Sequence, residues 1–248
     1  MPPPAIKVDF EVRGANWGVF GIMKVGKSYF TKLLALRYYL KGKRVIILDH
    51  NHNDDTYDDF WGISPTKVYQ ETFHALQFEL VPSDVVMRIQ RRSTSEEFDF
   101  SRFFHTCSTI TDSVFILDDL GDVFGNQATA AIKNFPGTVI NNRNEAFYQF
   151  HRLYQAHPFL RDKLQMLVLK SLPTDAPIPE DFVMPAGYIR QCLQEIEAIN
   201  LGLPFKKKFA WRILNMYDSL VLVPEKIYTD GRPEKTNTYE ATEYFKRK

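Results

Sequence analysis

Short apolar runs alternate with stretches of helical periodicity along most of this chain. Asn16-Trp17-Gly18-Val19-Phe20 is suited to a buried strand, and Phe30, Leu33, Leu34 and Tyr38 then recur at helical spacing. From residue 43 to 49 a basic start leads into Val45-Ile46-Ile47-Leu48 and ends on Asp49, the continuous pattern of a parallel strand covered on both faces. Residues 76–80 alternate like a half-exposed strand, and Ser95-Glu96-Glu97 is expected to cap a helix carrying Phe98, Phe100, Phe103 and Phe104. A second buried strand, Val114-Phe115-Ile116-Leu117, runs into Asp118-Asp119. Residues 125–144 read as one or two helices broken near Pro136-Gly137, residues 147–155 fit strand and helix equally, and residues 165–170 read as a short strand. Strands that alternate with helices predict an α/β fold with a mostly parallel central sheet flanked by helices.

The two ends of the chain read differently from this middle. Ile6-Lys7-Val8-Asp9-Phe10, within a Pro-rich lead-in, has the alternation of an edge strand. Beyond Leu172 a link with Pro173, Pro177 and Pro179 precedes a helix around residues 189–199, and residues 209–214 and 219–223 then read as two strands joined by a turn. The expected division is an extended segment over 1–12, a core over 13–172, and a C-terminal extension over 173–248 with a helix, a β-hairpin and a basic tail.

At 248 residues, one well-packed domain is the expected size, and 20 Phe with 12 Tyr predict an aromatic-rich core. The net charge of +1 neither announces nor excludes a nucleic-acid partner, which a local basic patch would serve as well. Charge is locally uneven: Asp49, Asp54, Asp55, Asp58 and Asp59 crowd one stretch, whereas Lys206-Lys207-Lys208 and Lys246-Arg247-Lys248 crowd the tail. Cys107 and Cys192 give neither a zinc spacing nor a disulfide framework, no run approaches membrane-spanning length, and Met-Pro-Pro-Pro is no signal-peptide start. A cytoplasmic protein without a membrane span is the expectation.

Between the first strand and the first helix stands Gly21-Ile22-Met23-Lys24-Val25-Gly26-Lys27-Ser28, followed by Tyr29. Two glycines, a lysine and a hydroxyl at the spacing G-x-x-x-x-G-K-[ST] make a phosphate loop: its backbone N–H groups and the helix N-terminus face the phosphates of ATP, Lys27 reaches the β- and γ-phosphates, and Ser28 offers its hydroxyl to Mg²⁺. Residues 21–29 are therefore the candidate nucleotide-binding segment. Asp118, at the carboxyl end of a central strand, is the candidate Mg²⁺ partner, and Asp119 is placed to act on a water. Phosphoryl transfer also calls for a further cation and a polar group near the γ-phosphate, for which Arg143, Lys24 and Gln155 are candidates. His50 and His52 with Asp54 alternate as a metal site would, but a polar loop accounts for them equally well.

In order and type these motifs resemble the HerA/FtsK superfamily of DNA-pumping P-loop ATPases, and most of all its viral genome-packaging members. The resemblance spans roughly residues 15–170. It implies a RecA-like, ASCE-type sheet with a strand inserted between the phosphate-loop strand and the acidic strand. It also implies a homo-oligomeric ring, usually a hexamer, and ATP-driven movement of DNA. On this resemblance Lys27 and Ser28 bind phosphate and Mg²⁺, Asp118 supports Mg²⁺, and Asp119 stands where the family has a catalytic glutamate. Arg143 looks like an arginine finger acting across a subunit boundary, and Gln155 like the polar sensor. Asp119 is one methylene shorter than the family's glutamate, and the loop interior Ile22-Met23-Lys24-Val25 is bulkier than the family's small residues. Lys206, Lys207 and Lys208 are the candidate DNA contacts. Two other functions share the loop: a zonular-occludens-toxin-like assembly or secretion protein, and a small-molecule kinase with Arg88, Arg91 and Arg92 as a lid.

Overall fold

The computed structural model describes residues 14–50, 55–93, 95–121, 123–125, 128–204, 210–224 and 236–246. The edge strand expected at residues 6–10, His52 and Asp54, Lys206 to Lys208, and the last two residues of the basic tail lie outside them. Seven strands form a parallel sheet: β1 (Ala15–Phe20), β2 (Arg44–Leu48), β3 (Thr66–Tyr69), β4 (Val86–Gln90), β5 (Ser113–Leu117), β6 (Glu145–Phe150) and β7 (Met166–Leu169). Three antiparallel strands, β8 (Arg212–Asn215), β9 (Leu220–Pro224) and β10 (Thr236–Glu240), continue it beyond β7. The spatial order is β10-β9-β8-β7-β1-β6-β5-β2-β4-β3. Thus β6 lies between β1 and β5, the inserted strand that the family resemblance implies, and the predicted C-terminal hairpin is the far edge of the main sheet.

Period-two alternation on the strands sorts the core into two layers. Trp17, Val19, Val45, Ile47, Val114, Ile116 and Phe147 face helix α1 (Lys27–Tyr39), which supplies Phe30, Leu33 and Leu34. Phe20, Ile46, Leu48, Phe115, Leu117 and Tyr148 face the other way, toward α3 (Phe100–Cys107), α4 (Ala130–Asn141) and α6 (Ala186–Asn200). Three further short helices lie among the described residues: α2 (Gln70–His74), α5 (Pro158–Arg161) and α7 (Ala241–Lys246). The predicted aromatic core is present, with Phe103, Phe104, Phe115, Phe124 and Phe135 all essentially buried.

Four local expectations are corrected. Residues 76–80 form no strand; they hold a single tight helical turn at Phe78–Leu80, and Leu80 is 77% exposed. The strand is β4, whose pattern is interrupted by Arg88. Its guanidinium is buried because Nε donates to Asp49 Oδ2 at 2.7 Å and Nη1 to Asp58. Satisfied in this way, a charge can occupy a central strand, and Arg88 is not available as a kinase lid. The cap of α3 is Asp99, whose carboxylate accepts from the N–H of Arg102 at 2.9 Å, rather than Ser95-Glu96-Glu97. Pro136 does not break α4: Ile132, Phe135, Pro136 and Val139 are buried on one face, and tertiary packing outweighs the lost backbone bond. Residues 147–155 resolve into β6 followed by one tight turn, Leu153–Gln155.

Candidate functional site

The parallel strands deliver their carboxyl ends to one edge of the sheet, where α/β folds bind ligands. There the loop after β1 is pinned between its neighbours: Gly21 N–H donates to Phe150 O at 3.2 Å and Ile22 N–H to Ser171 O at 3.0 Å. Gly21 is required by crowding, since a Cβ there would stand 2.9 Å from Val25 Cγ2 and 3.0 Å from Lys170 Cβ. Gly26 has φ 76°, the left-handed conformation glycine adopts at little cost, and it leads directly into α1. No side chain caps that helix, whose N-terminus is directed at the loop. Met23 and Lys24 are exposed on the crest of the loop, Lys24 with φ 61°, whereas Val25 is buried. Tyr29 packs edge-on against Trp61 at 5.1 Å.

Lys27 is largely buried and its amine fills the centre of the loop. It donates to Gly21 O at 2.8 Å and Ile22 O at 3.1 Å, and stands 3.1 Å from Nδ1 of His151. Burial lowers its pKa to about 8, a drop that Asp118 and Asp119 oppose. Beneath the loop a second amine, Lys170 at the end of β7, is fully buried with Nζ 5.0 Å from the centre of the Phe30 ring. Burial and the charge of Lys27 bring its pKa to about 7.

Ser28 and Asp118 belong to one hydrogen-bonded chain. Ser28 Oγ donates to Gln149 Oε1 at 3.3 Å, Gln149 Nε2 donates to the Tyr57 hydroxyl at 2.9 Å, and that hydroxyl donates to Asp118 Oδ2 at 2.9 Å. Because β5 ends at Leu117, both acids lie just past the strand, yet they diverge. Asp118 turns to Tyr57, while Asp119, at φ 48°, turns to His151, with 3.4 Å between Oδ1 and Nε2. Such a left-handed non-glycine residue is uncommon and clusters at working sites.

Gln155 stands one turn past β6 rather than at its end. Its Oε1 accepts the N–H groups of His151 and Arg152, each at 2.9 Å, and its amide packs against Gly121, where a Cβ would meet Nε2 at 2.7 Å. It thereby braces both the His151 turn and the loop that follows the acids. Arg143 lies elsewhere, exposed at the opposite edge of the sheet between α4 and β6, and its carbonyl accepts from Lys43 just before β2. The length of β6 separates it from the loop of its own chain, on the order of 20 Å. His50, after β2, is half-buried; burial depresses its pKa, opposed first by Asp119 and then by Asp49. Among the described residues no cluster of three His, Cys, Asp or Glu residues could hold a metal ion.

Solved structures of similar fold cover most of the chain. The DNA-packaging ATPase B204 from Sulfolobus turreted icosahedral virus aligns over 86% of this chain and 98% of its own, with 15% identity and a TM-score of 0.57. The genome packaging NTPase B204 from Sulfolobus turreted icosahedral virus 2, in complex with AMPPCP, aligns over 85% and 97%, with 13% identity and a TM-score of 0.57. Its complex with AMP gives 83% and 94%, with 14% identity and a TM-score of 0.56. The chain carries the RecA-like P-loop ATPase fold. No family model and no curated protein sequence matches it. On this P-loop fold the loop, both acids and the tail of β6 meet at one edge.

Four residues of this P-loop site escape a reading of the sequence. Gln149 and His151 alternate at the end of β6, and that spacing was their one signal. Tyr57 arrives from a loop 61 positions away from Asp118. Lys170 follows an apolar strand like any strand-end lysine, and only the register of β7 beside β1 brings it under the loop.

Proposed function

We propose that this chain is an ATP-hydrolysing DNA translocase that packages or transfers a viral or mobile-element genome, working as a ring, most simply a hexamer. The observation that carries the reading is the convergence of Lys27, Ser28, Asp118 and Asp119 at one end of the sheet, in a fold shared with packaging ATPases. Lys27 leaves its carbonyl partners for the β- and γ-phosphates, and the N-terminus of α1 faces the phosphate oxygens. Mg²⁺ suits the donors present: Ser28 and Asp118 offer hard oxygens, and the Gln149–Tyr57 chain fixes both. When bound, the ion neutralises phosphate charge. Asp119 supports activation of the attacking water.

A neighbour's Arg143, at the edge opposite the loop, is the cation to be delivered in trans. Lys206, Lys207 and Lys208 are the proposed DNA phosphate contacts, and cytoplasm or virion the place of action. One observation favours an assembly role instead: the short Asp119 carboxylate, 46% exposed and turned to His151, which would make nucleotide turnover slow.

Displacement of a triplex-forming oligonucleotide from duplex DNA tests the motor. The wild-type chain should strip it with ATP and fail with a non-hydrolysable analogue. Mixing Arg143→Ala with Asp119→Asn subunits should restore part of the activity that each lacks alone. ATP-independent displacement would contradict translocation, and absence of recovery at every ratio would contradict the trans role of Arg143. Assembly with an analogue and negligible turnover would favour the second reading.

A further inference from the structure

We propose that His151 is the proton acceptor for the attacking water, held from behind by Asp119. The inference rests on the ATPase reading and identifies the base that reading needs. His151 touches both the loop lysine and the second acid through opposite ring nitrogens: Nδ1 is 3.1 Å from Lys27 Nζ, and Nε2 is 3.4 Å from Asp119 Oδ1. An ammonium has only donors, so Nδ1 must be the accepting nitrogen, and the ring proton then sits on Nε2, facing the carboxylate. Asp119 thus fixes the tautomer, as a carboxylate behind a catalytic histidine does.

A triphosphate in the loop takes Lys27 for its own oxygens. Nδ1 then loses the amine as a partner and faces the place it has left, beside the Gly21 carbonyl. A short aspartate behind an imidazole reaches further than a glutamate alone, which gives the missing methylene a consequence: the base is the pair. The backbone of His151 is held rigidly for this by Gln155, through its contact with the N–H of His151 at 2.9 Å.

In the step, the water oxygen bonds to the γ-phosphorus, and the bond from that phosphorus to the β–γ bridging oxygen breaks. ADP departs with the electron pair. One water proton passes to Nδ1 of His151, the other leaves on inorganic phosphate, and His151 returns its proton to solvent. The groups facing the ring are Lys27 and the Gly21 carbonyl from the loop, Asp119 from beyond β5, and Arg152 beside it; burial first, then Lys27, keeps the ring neutral to lower pH than a free histidine, against the pull of Asp119 and of the Gly21 carbonyl. Only that neutral ring can accept a proton.

The test compares His151→Gln and His151→Ala with wild type, measuring kcat from acid to alkaline pH and the Kd of a fluescent-labelled non-hydrolysable ATP analogue. General-base loss predicts a fall in kcat of about 100-fold or more in both variants, with the Kd within about threefold of wild type. Wild type should lose activity as pH falls below the histidine range, and this acid limb should vanish in His151→Gln, whose amide keeps a hydrogen bond but takes no proton. A His151→Gln variant that turns over like wild type, or keeps the acid limb, overturns the proposal. So does a matching collapse of analogue binding, which would make His151 a support of the loop. A wild-type chain that binds the analogue yet never hydrolyses ATP overturns the ATPase reading itself, a separate outcome.

Discussion

Lys27 is charged at neutral pH but only by a narrow margin, because the loop that must hold phosphate also strips water from its amine. A bound polyphosphate favours the charged form. With a free-state pKa of about 8, binding above that pH has to recruit a proton, and affinity falls as pH rises. We expect an ATP analogue to bind about tenfold more weakly at about pH 9 than at about pH 7, and Lys27→Met to bind poorly at both. A flat wild-type profile in a fluorescence titration would contradict this account of the amine. Gly21, Lys27, Ser28 and the two acids were legible because their spacing is dictated by phosphate and metal chemistry. His151, Tyr57 and Lys170 were not, since each owes its place to strand register or to a distant loop rather than to a local pattern.

The elements most readily read were those dominated by apolar residues: β1, β2, β5 and α1 bury mostly aliphatic and aromatic side chains, with isolated polar exceptions such as Asn16 and Thr31. Misreading occurred where a polar group is buried with its partner, as in β4, or where packing tolerates a residue of poor propensity, as in α4. Of the antiparallel extension, β8 and β9 were legible as strands and β10 was not, and the sequence pattern fits a subdomain as well as the far edge of the main sheet. The extension's attachment depends on Trp211, fully buried just before β8, with its ring 5.0 Å from Phe30 of the phosphate-loop helix. Truncating so large a buried ring removes packing from both the extension and α1. Trp211→Ala should destabilise the fold by about 3–5 kcal/mol in urea unfolding, and a loss below about 1 kcal/mol would show the extension to be independent of the core.

Across the molecule, the sheet separates two edges. One gathers the loop, the acids and His151; the other presents Arg143, out of reach of its own site. A ring that sets one subunit's Arg143 edge against the next subunit's loop would unite them, and this arrangement gives a solvent-facing arginine a purpose. Among the described residues no helix is long and apolar enough to cross a membrane. The strand order was legible only through the family resemblance, because nothing local in β6 announces that it inserts between β1 and β5.

The central claim is that this site spends ATP to move DNA. Steady-state ATP hydrolysis by wild type and Lys27→Ala, with and without duplex DNA at low and moderate salt, tests it most directly. The account predicts several-fold stimulation by DNA at low salt, a steep loss of that stimulation as salt rises, and no activity in Lys27→Ala. Hydrolysis indifferent to DNA at every salt concentration would contradict it.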